Sequence, residues 1–234
     1  VCPFTVAVKN TSIILNEMVT YYQSEAKFIV ALIDDEANLL SDKLIEVNIS
    51  GKIFSKRTNE NGQVIINVNL TNGEYYVDAI FGGDKNYYSS RNSSGISVKS
   101  TIIAVDSQTK TYGSDYTFEL LNIDGNPLKN TLVSYIFNNV VYNEITDEWG
   151  RVHVKITQRE GIYSLTIENP VNGESVSKTI HVVKRVAQNR DMIIYAFSDV
   201  PYSVLILNDN GNPVGANEIV QFNIAGKTYN VKTD

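Results

Sequence analysis

The sequence predicts an all-β protein made of tandem immunoglobulin-like β-sandwich domains of about seven strands each. Two observations carry the prediction. Apolar residues recur at period two in segments of five to nine residues bounded by Gly, Asn, Asp and Pro, which is how strands and their turns read. The pattern also repeats: Arg57-Thr58-Asn59-Glu60-Asn61-Gly62 returns 88 residues later as Ile145-Thr146-Asp147-Glu148-Trp149-Gly150, and Thr233-Asp234 opens a third copy 87 residues further on. Composition agrees, because 14 tyrosines and abundant Val, Ile and Thr suit half-buried pleated surfaces better than helices.

The elements follow in order along the middle copy. A leading strand precedes Tyr112, and Tyr116 to Ile123 reads as a strand with Phe118 and Leu120 inward, closed by the turn Asp124-Gly125-Asn126-Pro127. The third copy repeats that turn as Asn210-Gly211-Asn212-Pro213. Val133, Tyr135 and Phe137 alternate next, matched by Ile45, Val47 and Ile49 and by Val220, Phe222 and Ile224; a short strand then holds Tyr142, matched by Phe54 and Tyr229. After the Thr-Asx turn come Val152, Val154 and Ile156, matched by Val64, Ile66 and Val68. Tyr163, Leu165 and Ile167 match Tyr75, Val77 and Ala79, and Ile180 and Val182 match Ile96 and Val98. Turns every 8 to 12 residues leave no room for βαβ units.

These units predict a domain division of 10–98, 100–183 and 185–234, joined without Gly/Ser linkers. Residues 1–9 read as the closing strand of a preceding repeat, since Thr5-Val6-Ala7-Val8-Lys9 parallels Gly95-Ile96-Ser97-Val98-Lys99. The third unit carries only the first half of the pattern, so it reads as an incomplete domain, and the chain as a piece of a longer array.

Several function classes are disfavoured. A formal charge of −6 with no clustered Lys and Arg argues against nucleic acid. No apolar run approaches the length of a membrane helix, so no span is expected in this fragment. Cys2 is the one cysteine, which excludes an intrachain disulfide, and Trp149 falls in a turn rather than a central strand, so the antibody-domain core signature is missing. His153 and His181 alternate with inward residues and should face solvent, with no partner at catalytic or metal-ligand spacing; no catalytic residue is expected.

The Val19-Thr20-Tyr21-Tyr22 segment, the Asp124-Gly125-Asn126-Pro127-Leu128 turn, Thr146-Asp147 with Gly150, and the run Gly73 to Asp84 ahead of Tyr87 resemble the Ig-like repeats of adhesin-like surface proteins of methanogenic archaea, which are similar to bacterial group 3 Ig-like domains. The resemblance covers nearly the whole chain. It implies an extracellular, surface-anchored archaeal protein concerned with attachment, whose repeats serve as a non-catalytic structural and adhesive stalk with neighbouring repeats as partners. It carries over no binding residues. The alternatives are a module that itself binds a surface glycan or protein, and an accessory module of an extracellular enzyme.

Three smaller features remain. Sequons at Asn10, Asn48, Asn69 and Asn92 offer N-glycosylation sites, which would make this a glycoprotein. Acidic turns at Asp34-Asp35-Glu36, Asp84-Lys85-Asn86 and Asp209-Asn210 offer oxygen ligands to Ca²⁺, but none alternates ligands as a dedicated loop does, so no cofactor is expected. In the pairs Tyr21-Tyr22, Tyr75-Tyr76 and Tyr87-Tyr88 alternation should bury one partner and expose the other.

Overall fold

The computed structural model describes residues 7–196 and 198–234. The chain divides into two compact units, one of Val1–Thr101 with Leu121–Asn126, the other of Ile102–Leu120 with Pro127–Asp234. Every regular element among the described residues is a strand. The expected closing strand at residues 1–9 falls largely on residues outside that description, as does Cys2; of its described part, Lys9 bridges Tyr87 in parallel.

The first unit holds β1 (Thr11–Ile14), β2 (Met18–Tyr21), β3 (Lys27–Asp34), β4 (Leu44–Ile49), β5 (Lys52–Arg57), β6 (Gln63–Asn67), β7 (Gly73–Phe81) and β8 (Ser90–Lys99). They form a three-stranded sheet β1-β3-β6 and a five-stranded sheet β2-β8-β7-β4-β5. The second unit repeats the plan with β9 (Ile102–Ile103), β10 (Gln108–Thr111), β11 (Asp115–Leu120), β12 (Leu132–Phe137), β13 (Val140–Ile145), β14 (Arg151–Lys155), β15 (Gly161–Glu168) and β16 (Ser175–Val183), in sheets β14-β11-β9 and β10-β16-β15-β12-β13. This is the immunoglobulin-like sandwich. The leading strand is split, its first piece joining the small sheet and its second pairing in parallel with the last strand, as β2 with β8 and β10 with β16. One sequence expectation is shortened: the strand from Tyr116 stops at Leu120 rather than Ile123, because the Asn122 turn has already begun.

Period-two alternation builds the cores. In the first unit Phe28, Val30 and Leu32 of β3 and Val64 and Ile66 of β6 face Ile45, Val47, Val77 and Ala79 of the larger sheet, all essentially inaccessible. In the second, Tyr116 and Phe118 of β11 and Val152 and Val154 of β14 face Val133, Tyr135, Leu165 and Ile167. The registers match at an 88-residue offset: Val47 lies opposite Ala79, and Tyr135 opposite Ile167. Tyr135 packs edge-on to Phe118 at 5.8 Å and stacks on Tyr142 at 5.3 Å. Burial pushes the Tyr116 phenol up to about 12, helped by the charge of Asp106, and its hydroxyl donates to the Val105 carbonyl at 2.8 Å.

Beyond the second sandwich lie β17 (Val186–Ala187), β18 (Leu205–Ile206) and the hairpin of β19 (Ile219–Ile224) and β20 (Lys227–Lys232). Three hairpins turn through two residues with positive φ, Ser50-Gly51, Asn138-Asn139 and Ala225-Gly226, as the right-handed twist of the flanking strands demands.

The repeated Thr marks a polar clamp. Thr58 is buried where the chain leaves the larger sheet after β5, and its hydroxyl donates to the Leu40 carbonyl at 2.6 Å while accepting the Lys43 amide at 3.0 Å. Thr146 does the same with Leu128 at 2.5 Å and Thr131 at 3.0 Å, and Thr233 with Gly215 at 2.6 Å and Glu218 at 3.0 Å. The next residue folds the turn: the Oδ1 of Asn59 accepts the amides of Asn61 and Gln63, and that of Asp147 accepts those of Trp149 and Arg151. Gly150 closes it at φ 75°, where a Cβ would lie 2.5 Å from the Leu120 carbonyl oxygen. A second turn, equally repeated, is capped by Asp34, Asn122 and Asn208, each accepting two amides. Its positive-φ position is Gly125 and Gly211 in two copies, and Ala37, at 64°, in the first.

Tyr75 and Tyr163 occupy one position but sit at the rim of the core, half-buried, rather than fully inside it. The reason is their hydroxyls, which donate to the carbonyls of Thr71 at 2.8 Å and Arg159 at 3.0 Å, four residues upstream. This is the tyrosine corner of immunoglobulin-like folds.

Thr146→Val removes a donor and acceptor that serve two part-buried backbone groups, so it should destabilise the second sandwich by about 2 kcal/mol, while Thr146→Ser should retain most of the stability. At about 4–8 °C per kcal/mol the valine variant should melt more than about 8 °C lower; a shift under about 2 °C would dismiss the clamp. Ala37→Gly relieves a left-handed alanine and should raise the stability of the first sandwich by about 0.5–1 kcal/mol in denaturant titrations; a loss of stability there would contradict the strain.

Candidate functional site

The ionisable groups singled out in the sequence stay apart. His153 is exposed on β14, its Nδ1 3.1 Å from the Thr117 hydroxyl across the sheet and its Nε2 3.8 Å from Asp147. His181 is half-buried on β16, in the other sheet. Among the described residues no three His, Cys, Asp or Glu gather in a way that could hold a metal ion. No helix of the described residues is long and apolar enough to cross a membrane.

Each acidic turn already has a cation of its own. The Lys9 ammonium lies 3.4 Å from Asp34 and 2.9 Å from Glu36; Lys43 lies 2.6 Å from Asp84, and the Arg185 guanidinium 2.5 Å from Asp209. Asp34 also takes the Asn38 side-chain amide at 3.1 Å. These contacts depress the carboxyls. Asp34 is held below the usual carboxylate range chiefly by the Asn38 amide, Asp84 by the hydrogen bond from Lys43, and Asp209 by that from Arg185. The turns therefore spend their oxygens on backbone amides and on the chain's own cations.

The sequons differ in accessibility. Asn10 and Asn69 are exposed, Asn48 is half-buried with its Oδ1 accepting the Gly51 amide at 2.7 Å, and the Asn92 side-chain amide donates to the Ile13 carbonyl at 2.9 Å. A glycan replaces an amide hydrogen of Asn, so Asn10 and Asn69 present the freer nitrogens. The tyrosine pairs at 75–76 and 87–88 split into a half-buried and an exposed partner as alternation requires, but Tyr21 and Tyr22 are both half-buried because β2 ends at Tyr21 and the chain turns.

The apolar concavities among the described residues lie beside the β19–β20 hairpin. A groove of about 400 Å³ runs between residues 202–206 and the β19–β20 hairpin, walled by Val204, Ile206, Val220, Phe222 and Tyr229, with Lys232 and Asp234 as its charged lining. Its side chains can exclude water from an apolar partner. Nothing in the sequence pattern marked it, since the same alternating residues are core in the preceding copies.

No protein-family model matches the chain, and no curated protein matches it in sequence. Among solved structures it is similar to a Ca²⁺-stabilized adhesin of an ice-binding Antarctic bacterium, at 13% identity over 98% of this chain and 64% of that one, with a TM-score of 0.29. It is similar to a Bacteroides ovatus protein of a mixed-linkage glucan utilization locus, bound to a heptasaccharide, at 11% identity over 73% of this chain and 65% of that one, TM-score 0.29. It is also similar to a tandem of titin Ig domains, at 11% identity over 73% and 94%, TM-score 0.31. The chain spans slightly less than two thirds of the first two.

The depressed carboxyls fix a pH dependence. Their stabilisation is complete above the unfolded value of about 4 and is lost as pH falls through the lower folded values. The melting temperature should hold level from pH 7 to about pH 5 and decline below about pH 4; a decline beginning near pH 6 would require other groups. Because the turns carry their own cations, millimolar Ca²⁺ should move the melting temperature by less than about 1 °C, and a larger rise would reveal a site the side chains do not suggest.

Proposed function

We propose that this chain is a non-catalytic stalk segment of an extracellular, cell-surface adhesin-like protein, in which repeats at 10–98, 100–183 and 185–234 set distance and bear load. The observation that carries the reading is the threefold recurrence of one structural device: a Thr hydroxyl joining carbonyl and amide at the same sequence separations of 18 and 15 residues. What the copies share is turn and core chemistry, and among the described residues no three His, Cys, Asp or Glu gather in a way that could hold a metal ion. Repetition of folding residues without repetition of reactive ones is the pattern of an array whose product is length. The family resemblance to surface repeats of methanogenic archaea supports the same setting, with Asn10 and Asn69 as the sequons open to modification.

The apolar groove beside β19–β20 favours a second reading, a module that binds a partner through that groove. Single-molecule pulling separates the two. A stalk should show two unfolding events per molecule with contour gains of about 25–30 nm each, the length of one repeat at about 3.5 Å per residue less its folded span. Extension without discrete events, together with a glycan or protein ligand binding the groove at micromolar strength, would replace the stalk with the binding module.

A further inference from the structure

The two five-stranded sheets present unlike outer faces. In the first, exposed Leu44, Ile53, Tyr76 and Ile80 are interspersed with Glu46, Arg57, Glu74 and the Asp78–Arg91 pair, whose two hydrogen bonds are 2.7 and 2.9 Å, so charge breaks up its apolar surface. The corresponding face of the second sheet has apolar pairs instead. Leu132 lies opposite Ile145 and Ile136 opposite Val141, with Ser134 opposite Asn143 between them. Leu132, Val141 and Ile145 are each more than 60% exposed and Ile136 is 41% exposed. Two hydroxyls beside them are bonded within the sheet: Ser134 donates to the Asn143 Oδ1 at 2.6 Å, and Thr166 meets Ser177 at 3.1 Å. Ionisable outward groups on β12, β13, β15 and β16 are confined to Glu168, at the end of β15, and His181.

From this we infer that the outer face of β13-β12-β15 is a self-association surface that meets the same face of a second copy of the chain. Three arguments select a second copy. The chain has a net charge of −6, so two copies repel through most of their surface and approach most readily through a face with almost no charge. Contact through one face on both copies sets apolar rows against apolar rows, and the Ser134 and Thr166 hydroxyls, already paired within the sheet, need no partner across it. The outward face lacks an aromatic side chain, so it offers no platform for stacking a sugar ring. Area sets the strength. Three strands about 4.8 Å apart and about six residues long cover roughly 300 Å² per copy, well below the roughly 800 Å² of a standard stable interface. The association is therefore weak for one pair of sheets, and would tighten only where many repeats meet side by side. The inference goes beyond the stalk reading and does not depend on it.

Sedimentation equilibrium of the full chain from about 10 µM to 1 mM, at low and at molar salt, tests it. A monomer–dimer equilibrium with a dissociation constant of roughly 0.1–1 mM, not weakened by salt, is expected. The variant Ile136→Lys/Val141→Lys, changed at exposed positions, should raise that constant at least about tenfold, while Ile53→Lys, equally exposed on the first sheet, should leave it unchanged; circular dichroism melts confirm that both fold. A monomer throughout, association abolished by salt, or dimerisation that survives the double variant would each overturn the assignment, the last by pointing to the groove beside β19–β20. Amide shift changes on dilution, confined to β12, β13 and β15, would locate the contact independently of any substitution.

Discussion

Each sandwich is tied at one end by a threonine clamp. A sandwich holds two sheets that the chain must enter and leave repeatedly, and every crossing strips backbone groups of their ladder partners. Thr58 lies where the chain passes from β5 towards β6, and its two bonds reach the crossing between β3 and β4. One hydroxyl thus satisfies a carbonyl and an amide at one crossing while belonging to the other, and Thr146 repeats it 88 residues on. Alternating apolar residues decide which faces are buried; the clamp decides where the two sheets are tied at their shared end. A valine of the same shape would fill the space and leave two buried polar groups unpaired, which is why the hydroxyl outweighs the methyl.

The third copy shows that the clamp is local. Thr233 binds Gly215 and Glu218 as its counterparts do, although the apolar faces of Phe222, Tyr229 and Val231 around it are only partly covered. The bonds need only the hairpin β19–β20 and the turn before it. A repeat therefore carries a small self-contained polar unit on which the rest of the sandwich closes, and arrays of such units fold through nearest-neighbour contacts.

Much of this was legible in the sequence, for a physical reason. Alternation at Val64, Ile66, Val152 and Val154 leaves no freedom about which side is buried, and the 88-residue offset fixes the equivalence of strands. The role of Thr58 was not legible: a Thr before Asn reads as turn chemistry, and the carbonyl it binds lies 18 residues away. Tyr75 and Tyr163 read as core because they stand in register with core residues, while the backbone carbonyl that holds each at the rim has no sequence signature. Ala37 concealed a positive-φ position that Gly125 and Gly211 reveal in the other copies. The uncharged outer face of the second sheet was readable: from Leu132 through Ile145, outward positions hold only apolar, Ser and Asn side chains where the first copy has Glu46 and Arg57.

Native-state hydrogen exchange tests the clamp most directly. The amides of Lys43 and Thr131 lie outside regular strands and donate to the clamping hydroxyls. If the clamp holds each sandwich together, these two amides exchange only through global unfolding, with protection equal to that of Val47 and Tyr135 in the central strands and the same dependence on denaturant. Exchange at the rate of their loop neighbours, well before the core opens, would show that the sheets stay joined without it.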